Sequence, residues 1–337
     1  MKALLLIAGS ALIVVGVTDL VWTTIAVAGG RGPLTDVTAH HMWRPVVRGD
    51  RSHRTLQLAG YAIALSVPVT WVVLVWAGWS LVFLSSHGSV VDAASQQPAP
   101  ALAKVAYAAG ALSGAGAGYT AGAPVWQLAN NVAALLGLAM FTLAVTYIFQ
   151  VVTAVSRERA LASRIDGLGD SPVDAVAAAL GEPQLGDLPS HIITITDDLA
   201  LIAHDHLSLP VLYYFHVGRR GASIPRNVAM FDELITIVER GLEEPHPTLV
   251  RPAREAVDQF MNTLRLSVDI PPPPPPPDLS SLRRISDQLV DDDAFVSAVD
   301  DLADRRARLR ALVNQYSWDW STDVDPTTTG RRPTDVG

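Results

Sequence analysis

The pattern of apolar positions divides the chain in two. Before about residue 156 apolar residues come in long, nearly uncharged runs; after it they recur at helical intervals among charged ones. The runs at 3–28, 56–84 and 127–154 are each long enough to cross a bilayer as a helix, which takes about 20 residues for about 30 Å of hydrocarbon. A fourth run, ALAKVAYAAGAL at 101–112, makes a helix of only roughly 18 Å. It leads into alternating glycines at Gly114, Gly116 and Gly118, and Pro124 precedes the last long run. The order predicts a short helix, an extended loop and a full membrane helix. Irregular backbone at membrane depth survives only where protein shields it or where it lines water. A half-length helix followed by Gly-x-Gly-x-Gly therefore reads as a re-entrant pore segment, against the plainer alternative of an outside loop with flexible glycines.

Beyond residue 168 the spacing predicts a soluble helical domain. SPVDAVAAALG at 171–181 has a serine cap, a proline at the first helical position and a closing glycine. Further helices are expected at 189–206, 211–216, 225–240 and 252–264. Seven consecutive prolines, 271–277, must adopt polyproline II and read as a semi-rigid spacer. A charged helix follows, with Asp291, Asp292 and Asp293 near its start and arginines at 305, 306, 308 and 310 toward its end, as the helix dipole favours. The stretch from 322 reads as disordered. The fold class is thus an all-α integral membrane protein: three transmembrane helices with a re-entrant pore helix and loop, plus a cytoplasmic helical domain. Its expected parts are 1–55 (first span and basic loop), 56–156 (pore module), 157–270 (cytoplasmic helices), 271–277 (polyproline linker) and 278–337 (helical tail with a disordered end).

Charge orients this arrangement. The loop after the first span carries Arg31, Arg44, Arg48, Arg51 and Arg54 against Asp36 and Asp50, and Arg157, Arg159 and Arg164 end the third span, so both positions belong in the cytoplasm. The N-terminus is then outside and the protein is multi-pass in the cell membrane. Lys2 ahead of an apolar core also fits a cleaved signal peptide, but the run is long and the loop behind it is basic. Asp19 inside the first run must face protein, water or the interfacial end of the helix. Pro68 kinks the second span, whose Trp71, Trp76 and Trp79 suit the outer interface.

Composition adds exclusions. Only 17% of the 337 residues are charged, there is no cysteine, and the net charge is −8. No thiolate chemistry is available, and nucleic acid is not an expected partner. The histidines at 40, 41 and 53, and His204, His206 and His216 with Asp205, lack metal-ligand spacing, because residues two apart on a helix do not share a face. No Ser/His/Asp set, carboxylate pair or nucleotide fingerprint stands near the membrane runs, so no cofactor, metal or enzymatic activity is expected.

The run YAAGALSGAGAG at 107–118, followed by VWQLANNVAALLGLAMFTLAVTYIFQVVTAVSRERALA, resembles the pore region of prokaryotic two-helix potassium-channel-type proteins. The resemblance covers roughly residues 56–165. That family has a pore helix, a Thr-x-Gly-aromatic-Gly-Asp filter and an inner helix that lines the cavity and bends to gate it. The filter glycines fall on Gly116 and Gly118, but Gly114 stands at the threonine, Ala117 at the aromatic and Tyr119 at the acid. The resemblance implies an ion filter made by Gly114, Ala115, Gly116, Ala117 and Gly118, with Gly137 as the inner-helix bend; a glycine there also permits close packing. It implies a homotetramer passing monovalent cations, potassium among them, through backbone carbonyls, with weakened selectivity. The alternative function is a non-conducting anchor or sensor for the cytoplasmic helices.

Overall fold

The computed structural model describes residues 1–25, 34, 37–38, 41–43, 52–115, 118–180, 182, 185–244, 246–264 and 268–320. The chain forms two compact units: one of Met1–Asp50, Leu58–Thr153 and Leu207–Tyr214, the other of Arg51–Gln57, Ala154–His206 and Phe215–Gly337. Most of the basic loop and the stretch from 322 lie outside the described residues.

The first unit contains helices α1 (Lys2–Ile25), α2 (His53–Leu84) from Leu58 onward, α3 (Ala101–Ser113) and the first part of α4 (Pro124–Asp166). Among the described residues α1, α2 and α4 are long and apolar enough to cross a membrane. Helices in lipid gain little from apolar burial and associate through close packing of small residues and internal hydrogen bonds. Both devices join α1 to α2. Gly9 and Gly78 bring the two backbones together, so a methyl on either would strike the other's carbonyl oxygen. Asp19 is buried and accepts from Trp71 Nε1 at 2.8 Å and from the Leu34 N–H at 2.9 Å. The Trp71 ring in turn meets Tyr147 of α4 edge-on, 5.4 Å between centroids.

These contacts bear on the tryptophans expected at the outer interface. Trp71 and Trp79 are buried inside the unit, and Trp76 donates to the Val105 carbonyl at 3.0 Å. α2 also runs through Pro68 as one helix.

Two short strands, β1 (Val90–Asp92) and β2 (Tyr119–Ala121), pair antiparallel with Val90 opposite Ala121 and Asp92 opposite Tyr119. The all-α fold class did not include these two strands.

The second unit is built around α7 (Ile224–Thr236), all of whose residues are buried; it packs against α5 (Pro172–Leu180), α8 (Pro247–Thr263) and α10 (Ala303–Gln315). Its other long elements are α6 (Leu188–Ser208), which belongs to this unit up to His206, and the end of α4 from Ala154; α9 (Asp292–Asp300) precedes α10. α8 begins a turn earlier than the expected 252, with Pro247 as its first residue and Pro252 inside it. A helix with two carboxylates can occupy a core only if each is paired. Asp232 Oδ1 meets Arg254 and Arg305, each at 2.8 Å. Glu233 receives Arg306 Nε at 2.6 Å and Nη2 at 3.0 Å. Burial pushes the Glu233 carboxyl up from its ordinary value, while the hydrogen bonds and charge of Arg306 pull the other way.

Arg306 has a second task, and it changes the reading of the proline run. The same guanidinium donates to the Pro274 carbonyl at 2.9 Å and to that of Pro275 at 2.8 Å, and Arg310 donates to Pro272 at 3.1 Å. Pro274 and Pro277 are buried and Pro271 half-buried, the three-residue period of a polyproline II helix laid on a surface by one face. The run is docked rather than a free spacer, and the segment after it belongs to the same compact unit as the helices before it. The tail is two helices, α9 and α10, not one.

Candidate functional site

Asp92 starts the site. Its side chain accepts from the N–H groups of Ala94 at 3.0 Å and Ser95 at 2.8 Å, closing a turn after β1. The hydrogen bonds from Ser95, then that from Ala94, hold the carboxyl below its ordinary value. The chain returns to β1, where Ala99 N–H donates to the Val90 carbonyl at 2.9 Å, and α3 leaves from Pro100.

α3 carries one charged residue, Lys104, and buries it. Its Nζ donates to the carbonyls of Ser86 at 2.6 Å and His87 at 2.9 Å, just past the end of α2. Tyr107 lies edge-on to Phe83 at 5.2 Å, and Phe83 also meets Trp126 of α4 at 6.2 Å. The sequence reading gave Lys104 no role; a lone lysine four residues into an apolar helix was the available signal.

The far end of α3 stops at Gly114, whose φ of 74° is left-handed, a conformation that glycine adopts without strain. Leu112 presses its backbone on α4 at Gly137, where a methyl would overlap the Leu112 carbonyl. Gly137 is therefore a close-packing position, in a helix that runs unbroken from Pro124 to Asp166. It lies about 20 Å along α4 from Pro124 at 1.5 Å per residue, and α3 itself, with 13 residues, is about as long.

The expected filter residues are only partly described. Gly116 and Ala117 lie outside the described residues. Ala115 is exposed, with its N–H 3.4 Å from Ser113 Oγ. Gly118 has φ 67° and its carbonyl accepts from the Ala93 N–H at 3.1 Å, so one of its lone pairs is engaged. β2 follows directly, and Gly122 N–H donates to the Ser89 carbonyl at 3.0 Å. The helix and its glycine turn thus leave from β1 and come back to it.

The remaining surface of the site is on α4. Ala133, Met140, Tyr147, Val151 and Ala154 are buried. The opposite side exposes Gln127, Asn131, Thr142, Thr146 and Gln150 among large apolar residues such as Leu135, Phe141 and Phe149. Thr142 and Thr146 satisfy their hydroxyls on carbonyls of their own helix, at 3.0 and 2.9 Å. The amides of Gln127, Asn131 and Gln150 have no partner among the described residues.

No family model matches the chain, and no solved structure matches it significantly. It is similar to the uncharacterized membrane protein YdjJ of Bacillus subtilis, with 26% identity over 323 residues that cover 94% of each chain. The chain is a mostly helical membrane protein. Its similarity to YdjJ extends over both compact units, so the second unit is shared and not a private appendage.

Proposed function

We propose that copies of this chain assemble, as a tetramer, into a channel-like pore for passive passage of monovalent cations. The observation that carries this reading is the row of exposed amides on α4, a helix apolar enough to span. An amide facing lipid with no hydrogen-bond partner is costly, and such groups face protein or water instead. Assembly around an axis supplies both. Gln127 and Asn131, before Gly137, meet neighbouring copies; Thr142, Thr146 and Gln150, beyond it, line the inner half of the path.

The short helix supports the same reading. α3 is about 20 Å long at 1.5 Å per residue, and the six steps from Ser113 to Tyr119 reach at most about 20 Å, enough to return over that length. A re-entrant excursion of this kind brings the backbone of residues 114–118 toward the axis, where carbonyls replace an ion's hydration shell. With glycine in place of the threonine and alanine in place of the aromatic, discrimination between potassium and sodium is poor. Residues 30–55 and those after 156 lie in the cytoplasm in this reading, with the N-terminus outside.

One observation favours a second reading, a non-conducting anchor or sensor: the Gly118 carbonyl is engaged by Ala93. Flux into liposomes separates the two. Because the chain has no cysteine, a single Thr146→Cys gives a unique thiol. The expected result is potassium and sodium flux by the parent protein, block of T146C by a charged thiol reagent, and loss of flux in Gly116→Val. Absence of flux in the parent, or G116V flux equal to the parent's, replaces the pore with the anchor.

A further inference from the structure

Beyond Thr153, α4 lies antiparallel to α6, and three pairs join the helices in one register. Arg157 meets Asp205 at 3.1 Å, Glu158 meets His206 at 2.7 Å, and Arg164 meets Asp198. From the first two pairs to the third, residue numbers rise along α4 and fall along α6. The two arginines are about half exposed, and ion pairs in water contribute little.

The middle pair differs. Glu158 and His206 are 8% and 7% exposed. Glu158 Oε1 and His206 Nε2 are buried atoms with no aligned hydrogen bond among the described residues, and they lie 2.7 Å apart. α8 contributes the Phe260 ring, edge-on to the imidazole at 5.6 Å. The nearby charged groups, Arg157 of α4 and Asp205 of α6, neutralise each other. Histidine is the side chain that ordinarily titrates between pH 5 and 8. Imidazolium completes an ion pair with Glu158; neutral imidazole leaves a buried carboxylate without a counter-charge.

We propose that Glu158 and His206 form an acid-tightened clasp between α4 and α6, and that its release at alkaline pH regulates passage along α4. The second part rests on the pore reading above; the first does not.

Hydrogen–deuterium exchange of the full-length protein in lipid nanodiscs tests the clasp, with rates corrected for the intrinsic pH dependence of exchange. Backbone protection over 154–166 and 198–208 should be about tenfold greater at pH 5.5 than at pH 8.5, the scale of one hydrogen bond to a charged group. Glu158→Gln and, as an independent variant, His206→Gln should each flatten that response, while Asp205→Asn keeps it. A flat response in the parent protein, or a response that survives in both E158Q and H206Q, overturns the clasp. Liposome flux at the same two pH values tests its consequence: flux should be higher at pH 8.5, and E158Q should remove the difference. Pore flux that ignores pH while the clasp responds overturns the regulatory part. A parent protein without flux removes the pore reading and, with it, that part, and leaves the exchange result to decide the clasp.

Discussion

At Gly137 a single hydrogen atom decides how closely α3 can approach α4. The Leu112 carbonyl occupies the space a methyl would take, so Gly137→Ala forces the helices apart, and overpacking of this kind costs roughly 1–3 kcal/mol. Thermal unfolding in mild detergent should show a lower midpoint for G137A, whereas Gly114→Ala, which meets open space but must hold a left-handed φ, should lose less. Equal midpoints for G137A and the parent would remove this contact from the account. Arg306 is a comparable case in the second unit. Arg306→Met leaves Glu233 buried and unpaired and should cost about 3–5 kcal/mol, and adding Glu233→Met should recover much of it, since replacing both partners removes the stranded charge. A double variant no more stable than R306M alone would mean that the proline carbonyls, not the carboxylate, set the need for arginine.

Elements differ in how far they could be read from the sequence, and the differences have physical causes. Three spans and a short helix were legible because run length against bilayer thickness is a strong signal. β1 and β2 were not: each has three residues, and their partners are nearly thirty positions apart, so neither alternation nor a tight turn announces them. Gly137 was legible as a position where helices approach closely, but nothing in its neighbours named Leu112 as the partner. The proline run was assigned its conformation correctly and its role wrongly. Polyproline II has the same local geometry whether solvated or docked, and only Arg306, some thirty residues away, shows which. Replacing 271–277 with a Gly/Ser stretch of equal length should therefore destabilise α10 and not merely loosen a tether. Exchange protection across 303–315 checks this, and undiminished protection would restore the spacer.

For the whole molecule, the exposed amides of α4 and the arginine asymmetry make two linked expectations. Mass measurement in mild detergent should give four copies, because one glycine turn per chain contributes a quarter of a ring. Reporter fusions at Gly49 and Ala94 should fall on opposite sides of the membrane. A monomer would leave Gln127, Asn131 and Gln150 facing lipid, and reporters on one side would remove a span.

The pairing of β1 with β2 also bears on the order in which the protein is made. α3 is too short to be retained across a bilayer by its own length, and the strand that closes its excursion lies after it in the chain. Nor does the surface it rests on, at Gly137, exist until α4 has left the ribosome. In the pore reading, α3 therefore waits in the translocation machinery or at the lipid boundary until α4 is inserted, and its placement is a late step of biogenesis that early-arrested chains do not reach.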